Sequence, residues 1–449
     1  MGKYFGTDGV RGVANIELSP ELAYKIGRAS AYVLNKENHE NITVIVGMDT
    51  RISGDMLEAS LISGMCSVGA KVISLGVIPT PAVAYLVRKY NASAGVMISA
   101  SHNPFYDNGI KFFNNKGFKL NDEIEKKIEE YIDNNYDKIP YMQGKDIGHK
   151  EIKEDAIEDY VEFLKSTIST NFEGLNVTID CANGATYQVA PILFEELKAN
   201  ANVIFREPNG ININDNCGST HMETLCKEVL ANKSDIGIAF DGDGDRCLVV
   251  DENGSIVDGD EIMAICGNYL KEQGNLKDNT IVATIMSNLG LFIMGENNNI
   301  NILKTKVGDR YVLEEMLLKG LNFGGEQSGH IIYLDHNTTG DGILTAIKLL
   351  EIVKKTGKKL SDLRKIIKVL PQALVNAKVS NQNKYNYLEN EDIKNAIDNL
   401  EKMFAGSGRV LIRPSGTEPL VRVMIEGNDQ EVLEKEAKKL ANLIEEKLS

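Results

Sequence analysis

Short apolar runs alternate along the chain with longer segments whose apolar residues recur at helical spacing. Several runs are rich in β-branched residues and have the length of a buried strand; they span residues 43–49, 71–77, 176–182, 235–241 and 280–285. A helix is predicted to begin at Ser19 and Pro20, a capping residue followed by proline at the first helical position. This alternation predicts α/β units with mixed, mostly parallel sheets.

The same pattern divides the chain into four parts. Charged residues around 120–155 and a basic segment at 353–365 are typical of helices or linkers between units, and residues 381–392 are predicted to form a surface loop. We expect three α/β domains followed by a smaller α+β domain, with boundaries at 1–152, 153–253, 254–368 and 369–449.

Composition narrows the class of protein. A chain of 449 residues with 43% hydrophobic residues and 10 prolines is that of a globular protein. The net charge of -15 argues against a general nucleic-acid binder or a protein of anionic membranes. The six cysteines follow no metal or disulfide spacing, the first residues lack a secretory pattern, and no apolar run approaches the ~18 residues of a membrane span. We therefore expect a soluble, cytoplasmic protein.

The densest chemical signal is the segment DGDGDR at 241–246, which joins two apolar runs. Asp241, Asp243 and Asp245 alternate with glycines, so that three carboxylates can face one side while the backbone curls around them. Clustered carboxylates are costly without a cation, and carboxylate oxygens suit Mg²⁺, so the segment predicts a magnesium site. The adjacent Arg246 has the shape and charge to hold phosphate.

Three alternatives compete with this interpretation. An EF-hand would match the three aspartates and Glu252, but it requires glycine in place of Arg246 and helices in place of strands. A phosphatase with an aspartyl nucleophile would leave the turn at Ser101 unexplained. The segment could also be a solvated acidic turn.

A second strand-end turn, SASHNP, presents Ser101 where open α/β sheets place their ligands. Phosphorylation would make Ser101 a phosphoryl carrier whose oxygens complete the magnesium shell, and Lys111 could offset the charge of the transferring group. The simpler interpretation of His102 is that it only stabilises the loop of Ser101. Arg11, in a glycine-rich turn, is a stronger functional candidate than Arg51, although both could be structural.

Two further turns carry polar groups suited to a phosphosugar. Glu326, Ser328 and His330 follow two glycines; the first two suit vicinal sugar hydroxyls, and the imidazole could move a proton or be structural. Near the C-terminus the predicted phosphate cradle carries no nucleophile and suits the non-reacting end of a substrate. Its residues are Arg413, Ser415, Gly416 and Thr417, with Arg422 beyond them.

Together the motifs FGTDGVRG, SASHNP, DGDGDR, KVGDRYVLE, GGEQSGH and RPSGTEP resemble the α-D-phosphohexomutase superfamily over nearly the whole chain. The resemblance implies four domains around a central cleft, the last similar to the TATA-box-binding protein. It implies that Ser101 is a phosphoserine, that Ser101 and the three aspartates hold one Mg²⁺, and that Glu326 and Ser328 select the sugar. The C-terminal turn would hold the distal phosphate. Lys111, Arg11, Arg246 and His330 would surround the reacting centre.

Within the superfamily the motifs are most similar to those of the bacterial enzymes that act on glucosamine phosphates, with Gln327 as a distinguishing residue. This implies conversion of glucosamine 6-phosphate to glucosamine 1-phosphate, a supply step for UDP-N-acetylglucosamine and the cell wall. Glucosamine or glucose 1,6-bisphosphate would serve as primer. The partner is a phosphosugar, and the resemblance is compatible with a homodimer. The rivals are an enzyme of glucose or mannose phosphates, a phosphatase and a non-catalytic sugar-phosphate-binding protein.

Overall fold

The computed structural model describes residues 2–6, 8–38, 42–415 and 419–448. The chain divides into two units, one of residues 1–286 and 300–365 and the other of residues 287–299 and 366–449. None of the helices in the described ranges combines the length and apolar character that a bilayer crossing requires.

The helices are α1 Pro20–Asn38, α2 Gly54–Cys66, α3 Thr80–Lys89, α4 Asp122–Asp133, α5 Ala156–Ser166, α6 Val189–Glu196, α7 Glu223–Asn232, α8 Gly259–Glu272, α9 Leu289–Asn297, α10 Asp309–Lys319, α11 Gly342–Thr356, α12 Leu360–Leu363, α13 Glu391–Phe404 and α14 Gln430–Leu448. The strands are β1 Phe5–Gly6, β2 Gly9–Val13, β3 Thr43–Met48, β4 Lys71–Val77, β5 Ala94–Ile98, β6 Asp107–Asn114, β7 Lys150–Ile152, β8 Asn176–Asp180, β9 Asn200–Ile204, β10 Ile236–Phe240, β11 Cys247–Asp251, β12 Ile256–Val257, β13 Thr280–Thr284, β14 Asn301–Thr305, β15 Phe323–Gly325, β16 Ile331–Tyr333, β17 Gln372–Lys378, β18 Arg409–Pro414 and β19 Leu420–Glu426.

The first sheet has the strand order β1-β2-β6-β5-β3-β4-β7. Its strands β5, β3, β4 and β7 run parallel, whereas β6, β2 and β1 extend the sheet in antiparallel pairs. The central strands are apolar because they are covered on both faces: all five residues of β5 are buried. Helix α1 begins at Pro20, and the Ser19 hydroxyl accepts a hydrogen bond from the Leu22 N–H, as the capping signal predicts.

The second and third sheets repeat this arrangement on a smaller scale. Strands β9, β8 and β10 are parallel and are followed by antiparallel β11 and β12; β14, β13 and β15 are parallel and are followed by antiparallel β16. The mixed sheets expected from the sequence are thus confirmed. The runs predicted as strands are present as β3, β4, β8, β10 and β13.

The second unit contains an antiparallel sheet of order β17-β19-β18. Helices α13 and α14 contribute apolar residues to one core with this sheet, including Ile393, Leu433 and Ile444. The predicted surface loop at 381–392 contains a short 3₁₀ turn, Asn386–Leu388, and the first residues of α13. The expected C-terminal α+β arrangement is confirmed.

Candidate active site

Ser101 lies in a tight turn shortly after β5. Its backbone has a φ of 54°, which is uncommon for a residue with a Cβ. The Ser101 N–H donates to Ser99 Oγ at 2.9 Å, and Ser101 Oγ donates to Asp241 Oδ2 at 2.5 Å. Because Ser101 is only 2% exposed, its hydroxyl is held against an acidic loop and away from bulk water.

That acidic loop joins β10 to β11 and contains the three predicted aspartates. Asp241, Asp243 and Asp245 are buried, and one carboxylate oxygen of each lies within 4.8 Å of the others. Gly244 has a φ of 71°, and a Cβ on Gly242 would lie 2.6 Å from the Ser101 carbonyl oxygen. Glycine therefore lets the loop curl and touch the serine turn. The flanking strands exclude the EF-hand alternative.

The donor set fits a hard divalent cation. In the described part of the chain, Asp243 Oδ1 and Asp245 Oδ1 are buried and have no hydrogen-bond partner. Such oxygens are costly to bury, and they are the ligands that Mg²⁺ prefers. The residues present therefore suit the predicted magnesium ion.

Asp241 and Asp245 have unequal proton affinities. Burial, together with the charges of Asp245 and Asp243, raises the pKa of Asp241 well above its ordinary value. Burial acts in the same direction on Asp245, but the nearby charges of His330 and Lys111 outweigh it, so the pKa of Asp245 is lowered. Of these two carboxylates, Asp241 is thus the one whose ionisation depends more on a neighbouring cation.

Lys111, buried on β6, supplies a cation to this loop. Its Nζ donates to Asp243 Oδ2 at 2.8 Å and lies 3.1 Å from Asp8 Oδ2 and 3.9 Å from Asp245 Oδ2. Thr80 Oγ1, at the first residue of α3, donates to the same Asp243 oxygen at 2.5 Å. Burial alone would lower the pKa of Lys111, but the surrounding carboxylates raise it above its ordinary value, so the ammonium stays charged.

Arg11 is joined to the site through Asp8. Arg11 Nη2 lies 2.5 Å from Asp8 Oδ2, and Lys119 Nζ lies 2.5 Å from Asp8 Oδ1 and 2.6 Å from Asp309 Oδ2. The attraction of Lys111, Lys119 and Arg11 outweighs the effect of burial and holds the pKa of Asp8 well below its ordinary range. Alternating charges therefore run from Arg11 to the N-terminus of α10.

Arg246 and His102 lie beside Ser101 and the acidic triad. The backbone N–H of Arg246 donates to Asp241 Oδ1 at 3.1 Å, and the side-chain Arg246 Nε lies 3.9 Å from Asp245 Oδ1. His102 Nδ1 lies 3.5 Å from Ser101 Oγ. Burial, followed by the charge of Arg246, lowers the pKa of His102 to about 4, so this imidazole is neutral near pH 7.

The predicted sugar loop connects β15 to β16. Glu326 Oε1 accepts a hydrogen bond from the Gly308 N–H at 3.0 Å, and Ser328 is half-buried on the same loop. His330 is buried, with Nδ1 at 3.6 Å from Asp245 Oδ2. The Gly340 N–H donates to His330 Nε2 at 3.0 Å, so when the ring is neutral its proton is on Nδ1, toward Asp245. His330 thereby joins the sugar loop to the acidic triad.

The predicted phosphate cradle belongs to the second unit. Arg413 on β18 and Arg422 on β19 are paired residues in the antiparallel register. Ser415 is buried; its N–H donates to the Leu420 carbonyl at 2.9 Å, and its own carbonyl accepts from Lys384 Nζ at 2.5 Å. Gly416 and Thr417 lie outside the described residues.

Comparison with protein families gives one consistent result. The α/β/α domain I, II and III models of phosphoglucomutase/phosphomannomutase match residues 2–138, 158–254 and 258–370, and the C-terminal domain model matches residues 374–443.

The chain belongs to the phosphoglucomutase/phosphomannomutase family. This confirms the α-D-phosphohexomutase superfamily expected from the motifs.

Curated relatives in the family match end to end. The chain is 63% identical over 449 residues to a phosphoglucosamine mutase of Ruminiclostridium cellulolyticum, with 100% of both chains covered. It is 58% identical over 447 residues to a phosphoglucosamine mutase of Clostridium acetobutylicum, again with 100% of both chains covered.

Solved structures of the family share the fold at low sequence identity. A phosphoglucomutase/phosphomannomutase family protein of Burkholderia thailandensis superposes with a TM-score of 0.81 at 23% identity, covering 99% of this chain and 98% of the other. An N-acetylphosphoglucosamine mutase of Aspergillus fumigatus, solved with GlcNAc-6P and magnesium, gives a TM-score of 0.71 at 18% identity, covering 99% and 96%.

Several site residues of this family member were not predicted from its sequence. Asp8, Lys119 and Asp309 form the ion-pair chain, Thr80 bonds to Asp243, and Asn214 donates to the Ser101 carbonyl at 2.9 Å. Asp8 and Asp309 lie within the motifs FGTDGVRG and KVGDRYVLE, so the sequence does contain a signal for these two residues. Asn214 carried no such signal.

Proposed function

We propose that the protein is a phosphoglucosamine mutase that interconverts glucosamine 6-phosphate and glucosamine 1-phosphate in the cytoplasm. The observation that carries the proposal is the 2.5 Å hydrogen bond from Ser101 Oγ to Asp241 Oδ2, which joins a buried hydroxyl to a buried acidic triad. The full-length identity to phosphoglucosamine mutases supports the choice of sugar.

Ser101 carries the phosphoryl group in this proposal. The bond between phosphorus and Ser101 Oγ breaks as a bond forms to O1 of glucosamine 6-phosphate; the sugar hydroxyl loses its proton and Ser101 Oγ gains one. The 1,6-bisphosphate then turns end for end, and the reverse transfer from O6 restores phosphoserine and leaves glucosamine 1-phosphate. A bound glucosamine or glucose 1,6-bisphosphate would prime an enzyme that has lost its phosphate.

The residues around Ser101 offset the charge of the moving group. Lys111 is buried and charged beside Asp243, and Arg246 lies next to the triad, so both can oppose the negative charge of a phosphoryl in transfer. Arg11 adds positive charge near the same groups through its ion pair with Asp8. His330, whose Nδ1 faces Asp245, is the candidate proton carrier.

Asp241, Asp243 and Asp245 would hold Mg²⁺, and the phosphate on Ser101 would add a further oxygen. When bound, the ion offsets negative charge on the phosphoryl oxygens. Burial of Ser101 and of the triad keeps bulk water from the phosphoserine, which limits hydrolysis.

Two other sets of residues would bind the substrate. Glu326 and Ser328 would bind the sugar hydroxyls, and the Glu326 carboxylate is fixed for this role by the Gly308 N–H. The distal phosphate would be held by Arg413, Ser415, Gly416, Thr417 and Arg422. We also propose that the domain boundaries follow the sequence prediction, 1–152, 153–253, 254–368 and 369–449.

A substrate panel tests the proposal. Purified protein, primed with glucose 1,6-bisphosphate, is assayed on the 6-phosphates of glucosamine, glucose and mannose. We expect the highest kcat/KM on glucosamine 6-phosphate; a preference of more than about tenfold for either other sugar would overturn the assignment. Inorganic phosphate as the main product would indicate a phosphatase, and Ser101 without phosphate in intact-mass spectra, with no turnover, would indicate a binding protein.

A further inference from the structure

The backbone carbonyls of Ser101 and Asn103 each accept two hydrogen bonds from the same two side chains. Arg51 Nη2 donates to the Ser101 carbonyl at 3.0 Å and to the Asn103 carbonyl at 2.6 Å. Asn214 Nδ2 donates to the same two oxygens at 2.9 and 3.0 Å. The serine turn is therefore fixed by side chains from two different sheets, since Arg51 follows β3 and Asn214 follows β9.

This fixation acts on a turn that an L-residue adopts reluctantly. The left-handed φ of Ser101 directs its Oγ toward Asp241, and the hydrogen bond from the Ser101 N–H to Ser99 Oγ holds the other side of the residue. Without donors on the Ser101 carbonyl, the peptide after the serine could rotate and carry Oγ away from the acidic triad.

Asn214 is itself held in place. It has a φ of 59°, a conformation that asparagine tolerates better than most residues, and its N–H donates to the Ala182 carbonyl at 2.9 Å. A Cβ on Gly242 would lie 2.8 Å from Asn214 Nδ2 and 2.6 Å from the Ser101 carbonyl oxygen. The amide is thus packed between the serine turn and the acidic loop.

The choice of an amide suits the charges nearby. The Arg51 guanidinium is buried and already paired with the buried Asp49 carboxylate. Asn214 adds hydrogen-bond donors without adding charge beside a site that must hold a phosphate dianion and a cation.

We propose that Asn214 is a positioning residue for phosphoryl transfer: with Arg51, it holds the Ser101 and Asn103 carbonyls so that the Ser101 oxygen stays aligned with the acidic triad. This inference rests on the proposed function, in which Ser101 carries the phosphoryl group. Asn214 acts through the serine turn and does not contact the sugar.

The test compares two isosteric variants in one loop. Asn214→Asp keeps the shape but removes the donor. Asn212→Asp is the matched control, because Asn212 Nδ2 donates to the Glu207 carbonyl and Asn212 Oδ1 accepts from the Asn209 N–H, within its own segment. Each variant is phosphorylated with glucose 1,6-bisphosphate, quantified by intact mass, and assayed for steady-state rates and for single-turnover transfer from phosphoserine to a hexose monophosphate.

We expect Asn214→Asp to lower kcat and the single-turnover rate about ten- to a hundredfold per phosphorylated enzyme, with KM within about threefold of wild type. The control should keep kcat within about twofold. Equal kcat in Asn214→Asp and wild type, or a loss confined to KM or to Tm, would overturn the proposal.

Asn214→Gly serves as a second variant, because glycine accepts the left-handed backbone and also lacks the donor. It should show the same loss; if neither Asn214 variant folds, the residue is a stability determinant and the proposal is overturned. The transfer assay can use whichever hexose phosphate the wild type isomerises. A wrong choice of glucosamine as substrate would therefore appear in the wild type and leave the Asn214 comparison intact.

Discussion

Ser101 Oγ donates a hydrogen bond to Asp241 Oδ2 at 2.5 Å across 140 positions of sequence. The contact joins the carboxyl-terminal ends of β5 and β10, which lie in different sheets. A hydroxyl in this position is already placed among the groups that would stabilise its phosphorylated form.

Replacement of the serine tests this arrangement. We expect Ser101→Ala to carry no phosphoryl group by intact mass and to lose mutase activity by at least about a thousandfold, because the proposed phosphoryl carrier is removed. Ser93→Ala, just before the other end of β5, is the control and should stay active. Phosphate retained in Ser101→Ala would place the nucleophile elsewhere.

The acidic triad should make stability depend on Mg²⁺. The pKa of Asp241 is raised by burial and by its acidic neighbours, so Asp241 lowers the stability of the metal-free protein as the pH rises from the ordinary pKa of an aspartate toward this raised value. We expect Asp241→Asn to increase the free energy of unfolding of the metal-free protein at pH ~8 and to abolish the further increase that Mg²⁺ gives the wild type. Denaturant unfolding with EDTA or Mg²⁺ measures both effects.

Asp215→Asn is the matched control, because Asp215 is exposed in the same part of the chain. It should change neither the metal-free stability nor the response to Mg²⁺. An undiminished Mg²⁺ response in Asp241→Asn would show that the triad is not the ion site.

The ion pairs of Lys119 should contribute more to the free energy of unfolding than those of a surface lysine. Lys119 Nζ contacts Asp8 and Asp309, and its side chain is 22% exposed. Lys119→Met leaves two carboxylates facing each other without their shared cation, and we expect a loss of about 2 to 4 kcal/mol in the free energy of unfolding. Lys116→Met, at an exposed position nearby, should change it by less than about 0.5 kcal/mol. Equal losses in the two variants would contradict the prediction.

Glu125 should give a stability that falls as the pH rises. Burial, followed by the charge of Asp122, raises the pKa of Glu125 to about 7. The folded protein therefore holds a proton that the unfolded chain releases. As a result, Glu125 lowers the stability of the protein as the pH rises from the ordinary pKa of a glutamate to about 7. We expect Glu125→Gln to raise Tm more at pH ~8 than at pH ~5. Glu123→Gln, exposed on the same helix, should show no such difference, and an equal gain at both pH values would refute the prediction.

The sequence predicts secondary structure well where neighbouring residues of one helix or strand share the same environment. The run 71–77 is observed as β4, Lys71–Val77, and the signal at Ser19 and Pro20 is observed as the start of α1. Strands covered on both faces must be apolar throughout, and capping chemistry is local, so both can be recognised within a few residues.

The contacts that complete the site depend on distant parts of the chain. Asn214 lies 113 positions from Ser101, and Lys119 lies 190 positions from Asp309. An asparagine or a lysine in a loop does not by itself indicate which residue it will contact. These contacts form only because separate sheets pack against each other. The sequence is compatible with either a structural or a functional role for Arg51, which donates hydrogen bonds to the carbonyls of the serine turn.

The position of Gly242 has a consequence for how this site can vary. There is no space for even one methyl group between the Gly242 Cα and the Ser101 carbonyl oxygen. Any other residue at this position would push the acidic loop and the serine turn apart. The proposed metal site and the proposed phosphoserine would then be displaced together, so a change in one loop requires a compensating change in the other.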